Sequence, residues 1–443
     1  MKNNKGITLV ALVVTIVVLL ILAGVSINLV LGNNGIIAKA KDAETKSAEA
    51  SQNDLKGMNG LVSEMEGALA GNGSTGSGSG NGGAGGSGTG TKVPAEATAE
   101  TAPYFPDNTF TKKEGTIDTG LVIQDASGNE YVWVVVPRTT AVYKTTGLGK
   151  TAFTDADYTS IEKDLKDYTS TYVTRDGYSD TYVADDKNVG WFADATAYNN
   201  LKNSMLKSIY ENGGFYVGRY EAGIGTNRTS NIDKNSEEKY ITPSTAPVTK
   251  ADAYPYTYVT RTQAQNLASN VNSGTKTSSL MFGVQWDLVL AFMSRDTAKV
   301  TDTRKLTSNS TTIGNYRNSV FQLSQTGKYA TMSDWSLSST WNQSTKPTTN
   351  FVDSSRNKIA QSSDGNGILV TTGTSETNKV MNIYDIAGNV WEWTLEKTSN
   401  TSGPRTCRGG SFNGAGSSGP AAVRGINSPD SSSYGIGFRV SLF

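Results

Sequence analysis

The chain has 443 residues, and its 40 Lys and Arg balance 40 Asp and Glu, so the formal net charge is zero. This length allows two or three domains with a sizeable core, and the balanced charge argues against a nucleic-acid partner. The chain has no His and a single Cys, Cys407, which removes the commonest metal ligand and general base and excludes internal disulfides and cysteine-based zinc sites. We interpret Cys407 as a small buried side chain rather than a reactive thiol.

The N-terminal region is predicted to be a membrane element. Residues 7–31 are almost entirely apolar, longer than the roughly 20 residues that a spanning helix needs and too long for the core of a signal peptide. Lys2 and Lys5 precede this stretch, so the positive-inside rule places the N-terminus in the cytoplasm and the rest of the chain outside, at the cell surface. A plain uncleaved signal anchor is the simpler alternative.

The first residues carry a more specific pattern. A basic leader, residues 1–6, ends in Lys5-Gly6, and Ile7 opens the apolar stretch. This resembles the class III leader of type IV prepilins and pseudopilins, and the resemblance implies processing between Gly6 and Ile7 and association with pilus or pseudopilus subunits. Family members usually carry Glu at the fifth mature position, where this chain has Ala11. The resemblance therefore implies a filament tip or a membrane anchor rather than the filament shaft.

Two connecting segments follow. Residues 36–70 are predicted to form a stalk helix, because apolar residues recur there at helical spacing, although three glycines favour a two-piece helix as an alternative. Residues 71–103 are a Gly/Ser-rich linker that cannot bury enough apolar area to order itself. The predicted organisation is thus anchor, stalk, tether and a head domain over residues 104–443.

The head mixes helices and strands without regular alternation, which predicts the α+β class. Residues 140–190 show weak periodicity and are interpreted as an insertion. The other predicted elements, in chain order, are a β-hairpin over 120–137, a helix that ends at Gly213-Gly214, a strand within 213–223, and helices over 262–270 and 284–295.

Four segments of the head resemble the formylglycine-generating enzyme (sulfatase-modifying factor) family. They are FYVGRYEAG at 215–223, IYDIAGNVWEWT at 383–394, RGGSF at 408–412 and NSPDSSSYGIGFRV at 427–440. The resemblance implies a variant of the C-type lectin fold. We interpret the tryptophans and arginines of these motifs as scaffold residues: Trp391, Trp393, Arg408 and Arg439.

The resemblance also shows which residues the catalysis of this family would require. The enzymes use two cysteines that bind copper, and the matching positions here are Gly414 and Gly419; a sister branch relies on histidines, which this chain lacks. The prediction is therefore a protein that is not an enzyme of this type. The one cofactor implied is Ca²⁺, at a site that matches Gly388, Val390 and Glu392. For Glu392, pairing with an arginine or exposure to solvent is the open alternative.

Residues 409–439 resemble the C-terminal segment of the variable proteins of diversity-generating retroelements, whose binding surface is randomised at template adenines. An asparagine codon mutated at its adenines never yields Lys, Glu, Gln, Met or Trp, and this window contains none of the five. The segment is therefore predicted to be a ligand-binding face with Tyr434 as its main anchor. The other candidate ligand-binding residues are Asn413, Ala415, Ser417, Ser418, Ala422, Val423, Gly425, Asn427, Asp430, Ser431 and Ser432.

The leading hypothesis is a non-catalytic recognition protein at the cell surface that binds an unknown protein or glycan. One alternative is an enzyme of different chemistry that uses carboxylates such as Asp385, Glu392 and Asp430. Another is a structural minor pilin whose head caps a filament.

Overall fold

The computed structural model describes residues 97–185, 191–230, 233–333, 336–343 and 367–443. They belong to a compact unit, Ser87–Phe443. Within this part of the chain, no helix combines the length and apolar character needed to cross a membrane. The following predictions lie outside the described residues: the leader with Gly6 and Ile7, the spanning stretch 7–31, the stalk helix 36–70 and most of the linker.

An antiparallel six-stranded sheet forms the centre of the head, in the order β1-β2-β3-β5-β19-β8. The predicted hairpin is present as β2 and β3, and all six residues of β3 are buried. Helices pack against β3 and β5, which accounts for the apolar character of these strands. The strands are β1 Thr111–Glu114, β2 Val122–Gln124, β3 Glu130–Val135, β5 Gly214–Gly218, β8 Ser278–Leu280 and β19 Val440–Leu442.

All three predicted helices are present: the helix that ends at Gly213, and the helices predicted over 262–270 and 284–295, which are observed at Arg261–Ala268 and Gly283–Met293. The predicted stop at Gly213 is confirmed, because this residue adopts a left-handed conformation with φ 68°. The helices are α1 Asp155–Tyr168, α2 Ala195–Asn212, α3 Arg261–Ala268, α4 Gly283–Met293 and α5 Arg304–Thr307, with short 3₁₀ turns at Ser170–Tyr172 and Glu376–Asn378.

The long helix α1 lies inside the segment interpreted as an insertion with weak periodicity. Thr154 caps it: the hydroxyl accepts from the N–H of Asp157, and the Asp157 carboxylate accepts from the N–H of Thr154. Ile161 and Leu165, four residues apart, are buried. A capping box and an i, i+4 apolar pair therefore define this helix in a largely polar stretch.

A second sheet, in the order β17-β16-β15-β18 with β4 also on β15, carries the C-terminal segment. β15 and β18 are parallel, with Trp391 opposite Ile436, whereas β16 is antiparallel to both β15 and β17. This register brings Trp391, Arg408, Arg424 and Ile436 to one end of the sheet. The strands are β4 Tyr178–Ser179, β15 Trp391–Thr398, β16 Arg405–Arg408, β17 Arg424–Asn427 and β18 Ile436–Phe438.

Three smaller sheets complete the described part of the head. Together with the two larger sheets and the helices, they confirm the predicted mixed class. Their strands are β6 Gly223–Ile224, β7 Tyr254–Pro255, β9 Lys328–Ser333, β10 Ser336–Leu337, β11 Asn342–Gln343, β12 Ile368–Val370, β13 Lys379–Val380 and β14 Ile383–Tyr384.

The head begins earlier than predicted. Thr101 and Ala102 fall within the linker that the sequence predicts, but both are buried. The Thr101 hydroxyl donates to the Gly213 carbonyl (2.7 Å) and accepts from the indole N–H of Trp133 (2.8 Å). The last residues of the predicted linker are thus part of the core.

Candidate functional site

Two buried arginines close the ends of the loop formed by residues 409–423. Asp287 accepts from Arg408 Nη2 and from Arg424 Nη2, both at 2.6 Å. Glu396 accepts from Arg424 Nε at 2.9 Å and from Arg408 Nη1 at 3.3 Å. Two positive and two negative groups thus form a closed, neutral set, which we call the charge quartet. Because each charge faces two opposite charges, burial of the set is compensated.

The loop itself is held largely through its main chain. Its N–H and carbonyl groups bond to the chain around residues 306–318, so these bonds do not depend on which side chains the loop carries. They include Arg317 N to Gly414 O (3.0 Å), Ser310 N to Gly416 O (3.0 Å) and Ala422 N to Leu306 O (2.9 Å).

Two glycines fix the start of the loop. Gly409 and Gly410 have φ values of 89° and 78°, in the left-handed region that favours glycine. A Cβ on Gly410 would also lie 2.2 Å from the Gly419 carbonyl oxygen. The two consecutive glycines of the RGGSF motif therefore have a backbone role.

A cup with a volume of about 400 Å³ opens beside this loop. β17 forms one wall, and the segment from Ser433 to Ile436 forms the other. Trp391 and Cys407 lie between them. The lining residues are Trp391, Cys407, Ser411, Asn413, Gly425, Ile426, Asn427, Ser433, Tyr434, Gly435 and Ile436.

Four of the predicted ligand-binding residues meet in this cup: Asn413, Gly425, Asn427 and Tyr434. The Tyr434 ring packs near Phe412, with the ring centres 6.0 Å apart. The remaining predicted residues lie outside the cup. Ser417 and Ser418 are exposed, whereas those partly buried are Ala415, Val423, Asp430, Ser431 and Ser432.

One of the predictions needs correction, and a second residue lines the cup without offering a side chain. Ala422 is completely buried, because its N–H donates to Leu306 and the loop turns inward there, so its side chain does not belong to a binding face. Gly425 lines the cup, but a Cβ at this position would lie 2.9 Å from the Cys407 sulfur. Gly425 therefore contributes open space and backbone rather than a variable side chain.

Sequence reasoning missed most of the apolar lining of the cup. Its motif predicts a scaffold role for Trp391, yet the Trp391 side chain is only partly buried and lines the cup. Ile426 has 42% of its surface exposed. Trp391 is paired with Ile436 across β15 and β18, and Ile426 with Thr406 across β16 and β17; no local pattern reveals these long-range pairings.

Cys407 is buried, as predicted. Its sulfur accepts a hydrogen bond from Asn427 Nδ2 at 2.8 Å. Burial raises the pKa of the thiol to about 12, so the group is neutral at physiological pH.

Gly414 and Gly419, which match the cysteine positions of the enzymes, differ in the space around them. A Cβ on Gly414 would have the Ser411 carbonyl oxygen at 3.5 Å as its nearest contact, whereas a Cβ on Gly419 would lie 3.2 Å from Gly410 Cα. Neither position offers a thiolate or another metal ligand. Among the described residues, no cluster of three or more His, Cys, Asp or Glu could hold a metal ion.

The residues at the implied calcium site do not fit a calcium ion. Both carboxylate oxygens of Glu392 accept from Arg439, with Nη2 to Oε1 at 2.6 Å and Nε to Oε2 at 3.0 Å. The positive charge of Arg439 therefore occupies the place beside Glu392 that a cation would need. The open alternative, pairing of Glu392 with an arginine, thus replaces the calcium site.

Three buried carboxylates, those of Glu221, Asp385 and Glu392, lie close enough to Arg439 and to one another to interact electrostatically. Burial raises the pKa of Glu221 well above its usual value, and the negative charges of Asp385 and Glu392 add to this effect. Burial raises the pKa of Asp385 to about 6. Glu392 is hydrogen-bonded to Arg439, whereas Glu221 and Asp385 interact with its charge from a distance, so this cluster retains protons more readily than ordinary carboxylates. None of these acids lines the cup.

Comparison with known proteins agrees with the motifs. Residues 312–442 match the sulfatase-modifying factor enzyme 1-like domain, whereas no curated protein matches the chain. Among solved structures, Treponema denticola variable protein 1 is similar at 13% identity, over 52% of this chain and 84% of that chain, with a TM-score of 0.25. The resemblance to the formylglycine-generating enzyme family is therefore confirmed for residues 312–442, the part of the chain that contains the loop and the residues named as lining the cup.

Proposed function

We propose that this protein is a non-catalytic recognition protein that binds an extracellular protein or glycan through the cup and the adjacent loop 409–423. The observation that carries the proposal is that the main chain holds the loop in place, while several of its side chains are free to contact a ligand. The main chain of the loop bonds to residues 306–318, and the charge quartet closes its ends. Side chains such as Ser417 and Ser418 are left exposed. Recognition on a rigid scaffold is commonly carried by such loops.

The same arrangement supports a diversified binding face. Substitution at an exposed loop position leaves the main-chain bonds and the quartet intact, so many sequences are compatible with one fold. The absence of Lys, Glu, Gln, Met and Trp from 409–439 is the pattern that randomisation of template adenines leaves. We therefore infer that exposed positions of this segment vary among cells of the source population.

The proposal includes display at the cell surface. The apolar stretch 7–31 is long enough for a membrane anchor, and the Gly/Ser-rich segment after residue 70 would let the head sample space around it. Cleavage after Gly6 and assembly with pilus subunits would extend this display further from the membrane. Mass determination of the N-terminus of the mature protein distinguishes a cleaved leader from an intact anchor.

Recognition can be tested by changing Asn413 and Tyr434 of the cup to alanine, together with Asp430, which lies between β17 and the wall formed by residues 433–436. The full-length chain and this variant are compared on arrays of surface proteins and of glycans. We expect the wild type to bind at least one ligand and the variant to lose that binding while its melting temperature stays unchanged. Equal binding by both proteins, or no binding by the wild type, would contradict the proposal.

Diversification can be tested separately by deep sequencing of the 3′ end of the gene across a growing population of source cells. We expect substitutions confined to codons of about 413–435 and concentrated at template adenines. A uniform sequence would rule out active diversification in that culture, and the recognition function would then concern one fixed ligand.

A further inference from the structure

The cup has mainly apolar walls. Trp391, Ile426, Tyr434 and Ile436 all line it, and Ile426, with 42% of its surface exposed, is among the most exposed large apolar residues of the described part. Apolar and aromatic walls with a few polar groups are typical of sites that bind one compact ligand group. At about 400 Å³, the cup is near the lower end of the size range of such sites.

Among the residues that the structure describes, no charged side chain lines the cup. Arg408 is next to Cys407 in β16, and Arg424 is next to Gly425 in β17. Both guanidinium groups are bound by the two carboxylates of the charge quartet. The Cys407 thiol is neutral because burial raises its pKa to about 12. A charged ligand group would therefore lose its hydration in the cup without finding an opposite charge.

Two amide atoms remain available for hydrogen bonding. Asn427 uses Nδ2 on the Cys407 sulfur, and Asn413 uses Oδ1 to accept from Ser411 at 2.6 Å. Within the described residues, Asn427 Oδ1 and Asn413 Nδ2 have no hydrogen-bond partner. The two amide side chains thus offer one acceptor and one donor, beside the hydroxyl groups of Ser411, Ser433 and Tyr434, in otherwise largely apolar surroundings.

These features of the cup indicate which ligand group it binds, an inference that rests on the proposed recognition function. We propose that the cup binds one tyrosine or tryptophan side chain of a protein ligand, with the aromatic ring against Trp391 and Ile436 and its O–H or N–H donating to Asn427 Oδ1. Both side chains combine a large apolar ring with one polar group, and both are common anchors of protein interfaces. A phenylalanine or leucine side chain would leave the Asn427 acceptor unpaired. A sugar ring would place several hydroxyl groups against Ile426 and Ile436.

The test uses the full-length chain in detergent micelles and a library of random peptides displayed on phage. Gly435 provides the blocking variant, because it lines the cup and a Cβ there would have its nearest contact 4.0 Å away, at Ser433 Oγ. Gly435→Trp should therefore place an indole in the cup, and because Gly435 is buried, the melting temperature of the variant is compared with that of the wild type to check the fold. Gly225→Trp is the matched control, since Gly225 is exposed and a Cβ there meets no atom within 4 Å.

We expect peptides enriched on the wild type to carry a tyrosine or tryptophan, and replacement of that residue by alanine to weaken binding about tenfold or more. Gly435→Trp should lose these peptides, and Gly225→Trp should retain them. Peptides that depend on the open cup but lack an aromatic residue would overturn the proposed ligand class and leave recognition standing. So would glycans, tested on an array, that bind the wild type but not Gly435→Trp. A wild type that binds neither peptides nor glycans would overturn both proposals.

Discussion

Arg408 and Arg424 bind the same two carboxylates, those of Asp287 and Glu396, from opposite ends of a fifteen-residue loop. The two arginines are paired residues of neighbouring antiparallel strands. Asp287 and Glu396 come from helix α4 and strand β15. The base of the loop is therefore fixed by groups that lie entirely outside the loop.

This relationship predicts a large effect of Asp287→Asn on stability. The change leaves two buried guanidinium groups with one carboxylate, and we expect a loss of about 3–5 kcal/mol in the free energy of unfolding. Chemical denaturation followed by tryptophan fluorescence measures it. Asp302→Asn is the control, because Asp302 pairs with Arg304 at the surface and its removal should change stability little. Equal effects of the two changes would refute the structural role of the quartet.

Two glycines of the loop should respond differently to the same small substitution. A Cβ at Gly416 would lie 2.4 Å from the Thr311 nitrogen, whereas the nearest contact of one at Gly414 is 3.5 Å away. We expect Gly416→Ala to cost about 1–3 kcal/mol and Gly414→Ala to stay within about 0.5 kcal/mol of the wild type. Urea denaturation distinguishes them, and similar values for both variants would contradict the described loop geometry.

The contribution of Asp180 to stability should fall as the pH rises from about 4 through about 6. Burial, with the nearby charges of Glu396 and Glu162, raises the pKa of Asp180 to about 6, although Lys166 opposes the shift. Because the folded-state pKa is higher than the unfolded one, the folded protein binds more protons in this window. The stabilisation is complete below the unfolded pKa of about 4 and is lost as the pH passes the folded value.

The contribution of Asp180 should amount to about 2–3 kcal/mol across this window. Melting temperatures over the pH range measure it, and Asp180→Asn should make the profile flatter because a carboxamide does not titrate. Asp385, whose pKa is also raised to about 6, leaves part of the slope in place. A profile that is unchanged in Asp180→Asn would contradict this assignment.

Cys407 should resist alkylation in the folded protein. It is the single cysteine of the chain, and a pKa of about 12 leaves about a thousandfold less thiolate at pH 8 than an ordinary thiol has. We expect iodoacetamide to label it only after unfolding, as measured by mass spectrometry. A second cysteine placed by Ser417→Cys, at an exposed position, should react readily and serves as the internal control.

Local patterns were sufficient where the structure depends on neighbours in the chain. The hairpin of β2 and β3 and the end of α2 at Gly213 follow from turn residues and from the conformational freedom of glycine. Helix α1 could also have been found, since Thr154 and Asp157 have capping-box spacing and two apolar residues follow one turn apart. The polar composition of the surrounding segment concealed it.

The composition of the cup could be predicted only in part. Asn413, Asn427 and Tyr434 were recognised because they lie in one unusual segment. Trp391 lines the cup because parallel pairing places it opposite Ile436, a contact between distant parts of the chain. Likewise, Ala422 is buried because the loop bonds to Leu306, more than a hundred residues away. Contacts of this kind leave no trace in local periodicity.

The shared carboxylates also limit how the loop can change over time. An insertion or deletion between Arg408 and Arg424 would have to leave both guanidinium groups on the same two acids and keep the hydrogen bonds of Gly414 and Gly416 in register. Exchange of one side chain for another meets no such restriction at exposed positions. The length of this segment should therefore be constant among variants of the protein, with novelty arising by residue replacement alone.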